Sequence, residues 1–317
     1  MHAQDAPPRF VQDRFAIGFW VDPPADERAD ERYAEVAAAH FNLTLALFGA
    51  PTRPQQERVL AVCQRYGLKA ILPDAPDGQR ADGPACWGYS LRDEPSVKNF
   101  AALRARVNEL RSAPPGRLAY VNLYPGYATP EQLGAPTYDE YVRRYMETVD
   151  PDVLSMDYYP RFAPDQDGRE AYCADLAVMR RHALRHAVPF WEFSNTMPYG
   201  PHTDPTEGQL RWQVFASLAY GARGMGRSAA ANGRPLHRPT GPAPGATQPL
   251  LLLLHTVRVG VPQGRGRHPA GRHAHAALRP GAAPQPRRQP AGPDPHAAHQ
   301  HGGLPRRPRG RAGCGAG

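Results

Sequence analysis

After Gly226 the chain contains no lysine, no phenylalanine, no tyrosine and no tryptophan. Its last 91 residues hold 14 arginines and a single acid, Asp294, together with 15 of the 37 prolines and 15 of the 30 glycines. A segment without aromatic residues and this rich in Pro and Gly buries too little apolar surface to offset its ordering entropy. It reads as a disordered, low-complexity tail. Cysteine is scarce as well, and Cys63, Cys86, Cys173 and Cys314 form no CxxC pair, which excludes a zinc ribbon and a disulfide framework. No apolar stretch approaches the ~20 residues of a membrane span. The longest, Leu250–Val261, is broken by His255 and Arg258. The polar opening, Met1–Asp13, has no signal-peptide core, so the expected location is the cytoplasm.

The overall charge of +8 therefore divides unevenly. The first 226 residues carry 24 basic and 29 acidic side chains, a balance of −5, and the tail carries +13. The expected organisation is a flexible lead-in over residues 1–14, one domain over 15–226, and the tail over 227–317.

Within the domain, short apolar runs alternate with longer amphipathic ones. Strands are expected at Phe15–Val21, Leu43–Phe48, Leu68–Leu72, Trp87–Leu91, Leu118–Leu123, Val153–Met156 and Pro189–Ser194. Helices are expected at Ser96–Arg111, where Phe100, Leu103, Val107 and Leu110 recur at helical spacing, and at Tyr138–Val149. A third is expected over Asp204–Ala219, opened by a capping box of Asp204 and Glu207. The strands are apolar on both faces, as buried parallel strands are. The phosphate-binding glycine turn of a dinucleotide fold is missing after the first strand, where the chain reads Val21-Asp22-Pro23-Pro24. The fold class is α/β, a (β/α)8 TIM-type barrel. Seven strands are visible before the composition changes, so the last βα unit is expected to be missing or degenerate.

Polar and aromatic residues gather at the C-terminal ends of the strands, where barrel active sites are built. These ends supply Trp20, Asp22, Arg92, Asp93, Glu94, Asn122, Tyr124, Asp157, Tyr158, Trp191, Glu192 and Asn195. Aromatic faces stack on sugar rings, and paired carboxylates cleave glycosidic bonds. Simple alternation along the fourth strand would place Glu94, Arg92 and Ser90 on one side, with Asp93 on the other. The same rule groups Glu192 with Phe190 and Ser194. Each of these residues also has a plainer use: a glutamate before proline at a strand–helix junction complements the helix dipole, and rim tryptophans pack.

The run Gly88-Tyr89-Ser90-Leu91-Arg92-Asp93-Glu94-Pro95 resembles the fourth strand of the clan A (β/α)8 glycoside hydrolases. Ile17–Pro24, Asp152–Pro160, Asn195–Gly200, Asp204–Glu207, Arg211–Gln213 and Leu218–Ala222 resemble a bacterial group of glycoside-hydrolase-like barrels. The likeness spans roughly residues 15–226. It implies hydrolysis of O-glycosidic bonds by retention, with Glu94 as general acid/base and Glu192 as nucleophile, and Asp157 as the alternative partner. Trp20, Asp22, Arg92, Asn122, Tyr124, Asp157, Tyr158, Trp191 and Asn195 are the expected carbohydrate contacts. Asp93 stands where the clan has asparagine. No cofactor and no metal are expected.

Two other readings stay open: a non-catalytic carbohydrate-binding barrel, and a tail that binds nucleic acid through arginine–phosphate contacts. The tail has no lysine and no stacking aromatic, which argues against the second. Its histidines, His268, His273, His275, His296, His299 and His301, resemble a metal-binding tract in composition. A GC-rich gene read out of frame from about Gly226 accounts for them more simply. It also accounts for the joint loss of lysine and aromatics.

Overall fold

The computed structural model describes residues 9–47, 50–75, 79–112, 116–160, 162–163, 166–196 and 205–228. Met197–Asp204 and the tail from residue 229 onward, with its histidine tract, lie outside the described residues.

Eight parallel strands form the sheet: β1 Ala16–Phe19, β2 Leu43–Leu45, β3 Lys69–Pro73, β4 Cys86–Asp93, β5 Leu118–Leu123, β6 Leu154–Tyr158, β7 Phe190–Asn195 and β8 Gly224–Ser228. Among the described residues seven helices lie between them, none in the β3–β4 connection and two in the β5–β6 connection: α1 Ala29–Ala38, α2 Arg53–Tyr66, α3 Phe100–Ser112, the short α4 Pro130–Leu133, α5 Tyr138–Val149, α6 Arg169–His186 and α7 Glu207–Ala219. The ladder runs β1–β8–β7–β6–β5–β4–β3–β2, so the barrel is nearly closed. Asn42 stitches the remaining seam. Its side chain accepts from Ile17 N (2.8 Å) and donates to Phe15 O (2.8 Å), while its own N donates to Ile17 O (2.9 Å).

The eighth strand is present, paired to β7 from Gly224↔Trp191 to Ser228↔Asn195 and to β1 from Ala16↔Gly224 to Phe19↔Arg227. Its sparse sequence has a steric cause. A Cβ at Gly224 would overlap the Trp191 ring, and one at Gly226 the Phe193 ring. The neighbouring aromatics fill the space that a conventional strand's side chains would take.

Two apolar layers result. The lumen holds Leu43, Leu45, Ile71, Trp87, Leu118, Tyr120, Val153, Trp191 and Phe193. The larger layer, between strands and helices, includes Tyr33, Val59, Phe100, Val107, Val121, Tyr141, Tyr145, Met156, Tyr158, Tyr172 and Phe190. At the N-terminal end of the barrel, residues 9–14 cross the opening. Phe10 meets Trp87 edge-on (5.4 Å), Gln12 accepts from Trp191 Nε1 (3.0 Å), and Arg9 bonds Asp150 (2.6 Å) and Asp152 (3.0 Å).

Local signals place the helices. Thr52 and Gln55 cap α2, which stops at Gly67 (φ 71°), a left-handed position that glycine fills without strain. Helix α7 corrects the sequence reading: the capping pair is Thr206 with Gln209, not Asp204 with Glu207. Gln209 N donates to Thr206 Oγ1 (3.3 Å), and Thr206 N donates to Gln209 Oε1 (2.8 Å).

Candidate active site

Strand β4 decides which acids enter the barrel mouth. Against β3, Ala70 pairs with Cys86 but Ile71 with Gly88, so Trp87 is an extra residue. Against β5, Ser90 pairs with Tyr120 but Arg92 with Val121, so Leu91 is a second. An inserted residue exchanges the two faces of everything beyond it. Arg92 therefore shares the register of Val121 in the helix-facing layer, and Asp93 pairs with Asn122 on the lumen side. The alternation expected from sequence is reversed here: Asp93 is the inward acid and Arg92 the outward base. Glu94 then takes φ 45°, a left-handed backbone that costs a non-glycine residue on the order of 1–3 kcal/mol. Its amide is held by Asn122 O (2.9 Å).

Three carboxyls meet at this end. Asn122 Nδ2 donates to Asp157 Oδ1 (2.9 Å) and to Asp93 Oδ1 (3.2 Å), and Glu94 lies close enough to feel the charge of both acids. Water reaches Asp93, Glu94 and Asp157. Among the described residues no Arg, Lys or His forms an ion pair with any of them, whereas Arg80 and Arg106 pair Asp74, and Arg9 and Arg111 pair Asp152. Desolvation, then the Asp157 charge, pushes Glu94 up to about 9 and Asp93 up to about 7. Desolvation also raises Asp157, opposed by hydrogen bonds from Asn122 and Tyr159. The three groups titrate as a set. Near neutral pH Glu94 holds a proton, and the set carries less than its full negative charge.

The remaining expected site residues divide into two groups. Trp20 is half-buried at the lumen, edge-on to Phe193 (5.4 Å), and Asn195 follows Phe193 on the same face of β7. Tyr124 is half-buried beside Glu94. The others lie elsewhere. Glu192 is fully buried between β7 and helices α6 and α7, accepting from Ser194 Oγ (2.7 Å) and Ser217 Oγ (3.3 Å), with Tyr172 alongside. Trp191 and Phe193 take the lumen side of that strand, so Glu192 does not face Glu94 across the mouth. Asp22 is 1% exposed among Tyr33, Thr44 and Cys63, in the strand–helix layer. Trp191 packs low in the lumen against Trp87 (6.2 Å) and Tyr120 (5.9 Å). Tyr158 packs outward on Tyr172 (5.3 Å). Arg92 is exposed on the outer side.

Sequence reasoning missed Tyr120 and Ser155. Tyr120 OH meets Ser155 Oγ (3.0 Å), and Ser155 Oγ donates to Asn122 Oδ1 (3.2 Å). The signal was available, since Tyr120-x-Asn122 and Ser155-x-Asp157 alternate as lumen-facing pairs.

Eight parallel strands with alternating helices and an acid-lined C-terminal mouth define a (β/α)8 barrel. No protein-family model and no curated protein matches the chain. Solved structures with a similar fold include a candidate alpha-L-fucosidase from Bacteroides thetaiotaomicron VPI-5482, at 10% identity over 72% of this chain and 91% of that one (TM-score 0.48). The endo-1,4-beta-D-mannanase of Thermotoga petrophila RKU-1 matches at 10% identity over 68% and 88% (TM-score 0.47). An HpcH/HpaI aldolase from Desulfitobacterium hafniense DCB-2 matches at 12% over 68% and 86% (TM-score 0.43). At these identities and TM-scores the likeness says nothing of this chain's activity.

Proposed function

We propose that the barrel is a glycoside-hydrolase-like enzyme whose Glu94 protonates the leaving oxygen of an O-glycosidic bond, with Asp157 as the charged counterpart. The observation that carries this reading is the meeting of Glu94, Asp93 and Asp157 around Asn122 at the solvent-reached mouth of a barrel, where burial and the Asp157 charge raise Glu94. The strand-four run that resembles clan A supports it. Asp157 is preferred over Asp93 as the ionised partner because it receives two side-chain hydrogen bonds, from Asn122 and Tyr159, which favour the charged form. The burial of Glu192 behind the strand speaks against it in that role. Tyr124, beside Glu94, offers a ring for a sugar face, and Trp20, edge-on to Phe193 at the lumen, offers a second. The substrate class is a carbohydrate, no cofactor is invoked, and among the described residues no helix is long and apolar enough to cross a membrane.

A panel of aryl glycosides tests the proposal. Turnover that falls in Glu94→Gln and Asp157→Asn but persists in Glu192→Gln supports it. Turnover indifferent to Glu94→Gln overturns it. Proton NMR of the first-formed anomer then reports retention or inversion, which follow from carboxyl separations of ~5–5.5 Å and ~6.5–9.5 Å.

A second reading, a non-catalytic carbohydrate-binding barrel, is favoured by one observation: strand β7 presents Trp191 and Phe193 to the lumen in place of an acid. Calorimetric binding of an oligosaccharide without turnover would select it. In either case the functional unit is the barrel through Ser228, and we read the segment beyond it as the product of a shifted frame. The coding DNA tests that directly: an aromatic-bearing continuation in another frame is expected, and its absence overturns the idea.

A further inference from the structure

Asn122 touches all three acids and has little left for a ligand. Its two side-chain hydrogens go to Asp157 Oδ1 (2.9 Å) and Asp93 Oδ1 (3.2 Å), its Oδ1 accepts from Ser155 Oγ (3.2 Å), and its main-chain oxygen accepts from Glu94 N (2.9 Å). It is 1% exposed. The Ser155 proton is spent on Asn122, so in its contact with Ser155 (3.0 Å) Tyr120 is the donor. The resulting chain has one direction: Tyr120 to Ser155, Ser155 to Asn122, Asn122 to the two carboxylates. A flipped amide would set Oδ1 against both acids and leave Ser155 facing a donor, so the neighbours lock one orientation.

We propose that Tyr120, Ser155 and Asn122 are a positioning relay, in which Asn122 makes no essential bond to substrate and instead holds Asp93 and Asp157 as a paired acceptor beneath Glu94, fixing which acids of the mouth are charged. This deepens the reading of Glu94 and Asp157 as the working pair and rests on it for its kinetic arm only. A donor shared by two carboxylates stabilises their anionic forms against the desolvation that raises them. The other titratable groups bearing on the set are Tyr124, with Arg92 beside it, and Tyr141 toward Glu94, and Tyr138, Tyr159 and the buried Glu192 toward Asp157. The relay is the only one of these elements that contacts Asp93, Glu94 and Asp157 together. Loss of the donor raises Asp93 and Asp157 further, and Glu94, less repelled by neutral neighbours, moves down toward them.

The test is carboxyl-carbon NMR titration of the full chain labelled at Asp and Glu, without substrate, in wild type, Asn122→Ala, Ser155→Ala and Ser155→Thr, each checked for an unchanged unfolding midpoint at acid pH. The expected result is an upward shift of the Asp93 titration by about one pH unit in Asn122→Ala. A smaller shift of the same sign is expected in Ser155→Ala, with recovery in Ser155→Thr. If Asn122→Ala does not fold, the two Ser155 variants decide the matter. Titrations that stay at their wild-type positions in folded variants overturn the relay. Where an aryl glycoside is turned over, Asn122→Ala should displace the pH profile of kcat/KM and leave KM near its wild-type value. A raised KM with an unmoved profile makes Asn122 a substrate ligand and overturns the proposal. Absent turnover counts against the glycosidase reading alone, because the NMR arm needs no activity.

Discussion

At the scale of single residues, two glutamates, one half-buried and one fully buried, show how one side-chain type serves opposite ends. Glu94 sits where solvent reaches it, and the proposal gives its proton to the leaving oxygen. Glu94→Gln should lower kcat by about 10²–10⁴-fold, the usual worth of a positioned acid, measured on whichever aryl glycoside is best. Glu192 holds its proton for lack of any alternative: desolvation, opposed by hydrogen bonds from Ser194, Tyr172 and Ser217, pushes it up to about 8. The unfolded chain releases that proton near 4.5. Between the two values the folded state binds more protons, so this contribution to stability is complete below pH 4.5 and is lost as pH rises toward 8. Its steepest slope is about 1.4 kcal/mol per pH unit. Glu192→Gln should therefore gain thermal stability relative to wild type as pH goes from 5 to 9, by scanning calorimetry, and a difference that stays constant with pH would refute it. Their strand-end positions and the clan A resemblance brought both glutamates forward as candidates. Neither could separate them, because which face a strand residue takes depends on register with its neighbours.

At the scale of elements, the seven apolar runs marked their strands well, since a parallel strand buried on both sides must be apolar throughout. The failures have local causes. One extra residue in β4, Leu91, lies between Ser90 and Arg92, is invisible in a one-dimensional pattern and exchanges Asp93 with Arg92. The start of α7 was misread because Asp204-Pro205 and Thr206-Glu207 offer two overlapping cap signals, and only the second is used. Thr206→Ala should cost ~1 kcal/mol, read from urea unfolding, and a neutral result would mean the cap does not form. Gly88 lies between the two bulges, and a Cβ there would overlap the main chain of Leu118. Gly88→Ala should destabilise by about 1–3 kcal/mol and weaken the β4–β5 pairing that sets Asp93 opposite Asn122. Activity should fall further than stability if that register positions the acid.

At the scale of the whole molecule, the barrel was legible from the spacing of strands and helices, and the eighth strand was not. Gly224-Met225-Gly226 carries no strand signal, because its glycines yield room to Trp191 and Phe193. A strand specified by its neighbours' bulk cannot be recognised from its own residues. The floor is similar: residues 9–14 look like a lead-in, yet Phe10 and Gln12 close over Trp87 and Trp191. Replacing both, Phe10→Ala with Gln12→Ala, should shift tryptophan emission to the red and lower the unfolding midpoint. Emission unchanged from wild type would show that the floor does not shield the lumen.

The seam at Asn42 sets where this barrel opens. The ladder's two free edges belong to β1 and β2, consecutive in the chain, and one asparagine side chain supplies two of the bonds that join them. Closure between β1 and β8, by contrast, joins segments separated by nearly the full length of the domain. The barrel is thus zipped at its distant ends and only buttoned between its nearest neighbours. The bonds at the button lie outside every ladder, so none of the seven strand pairings depends on them.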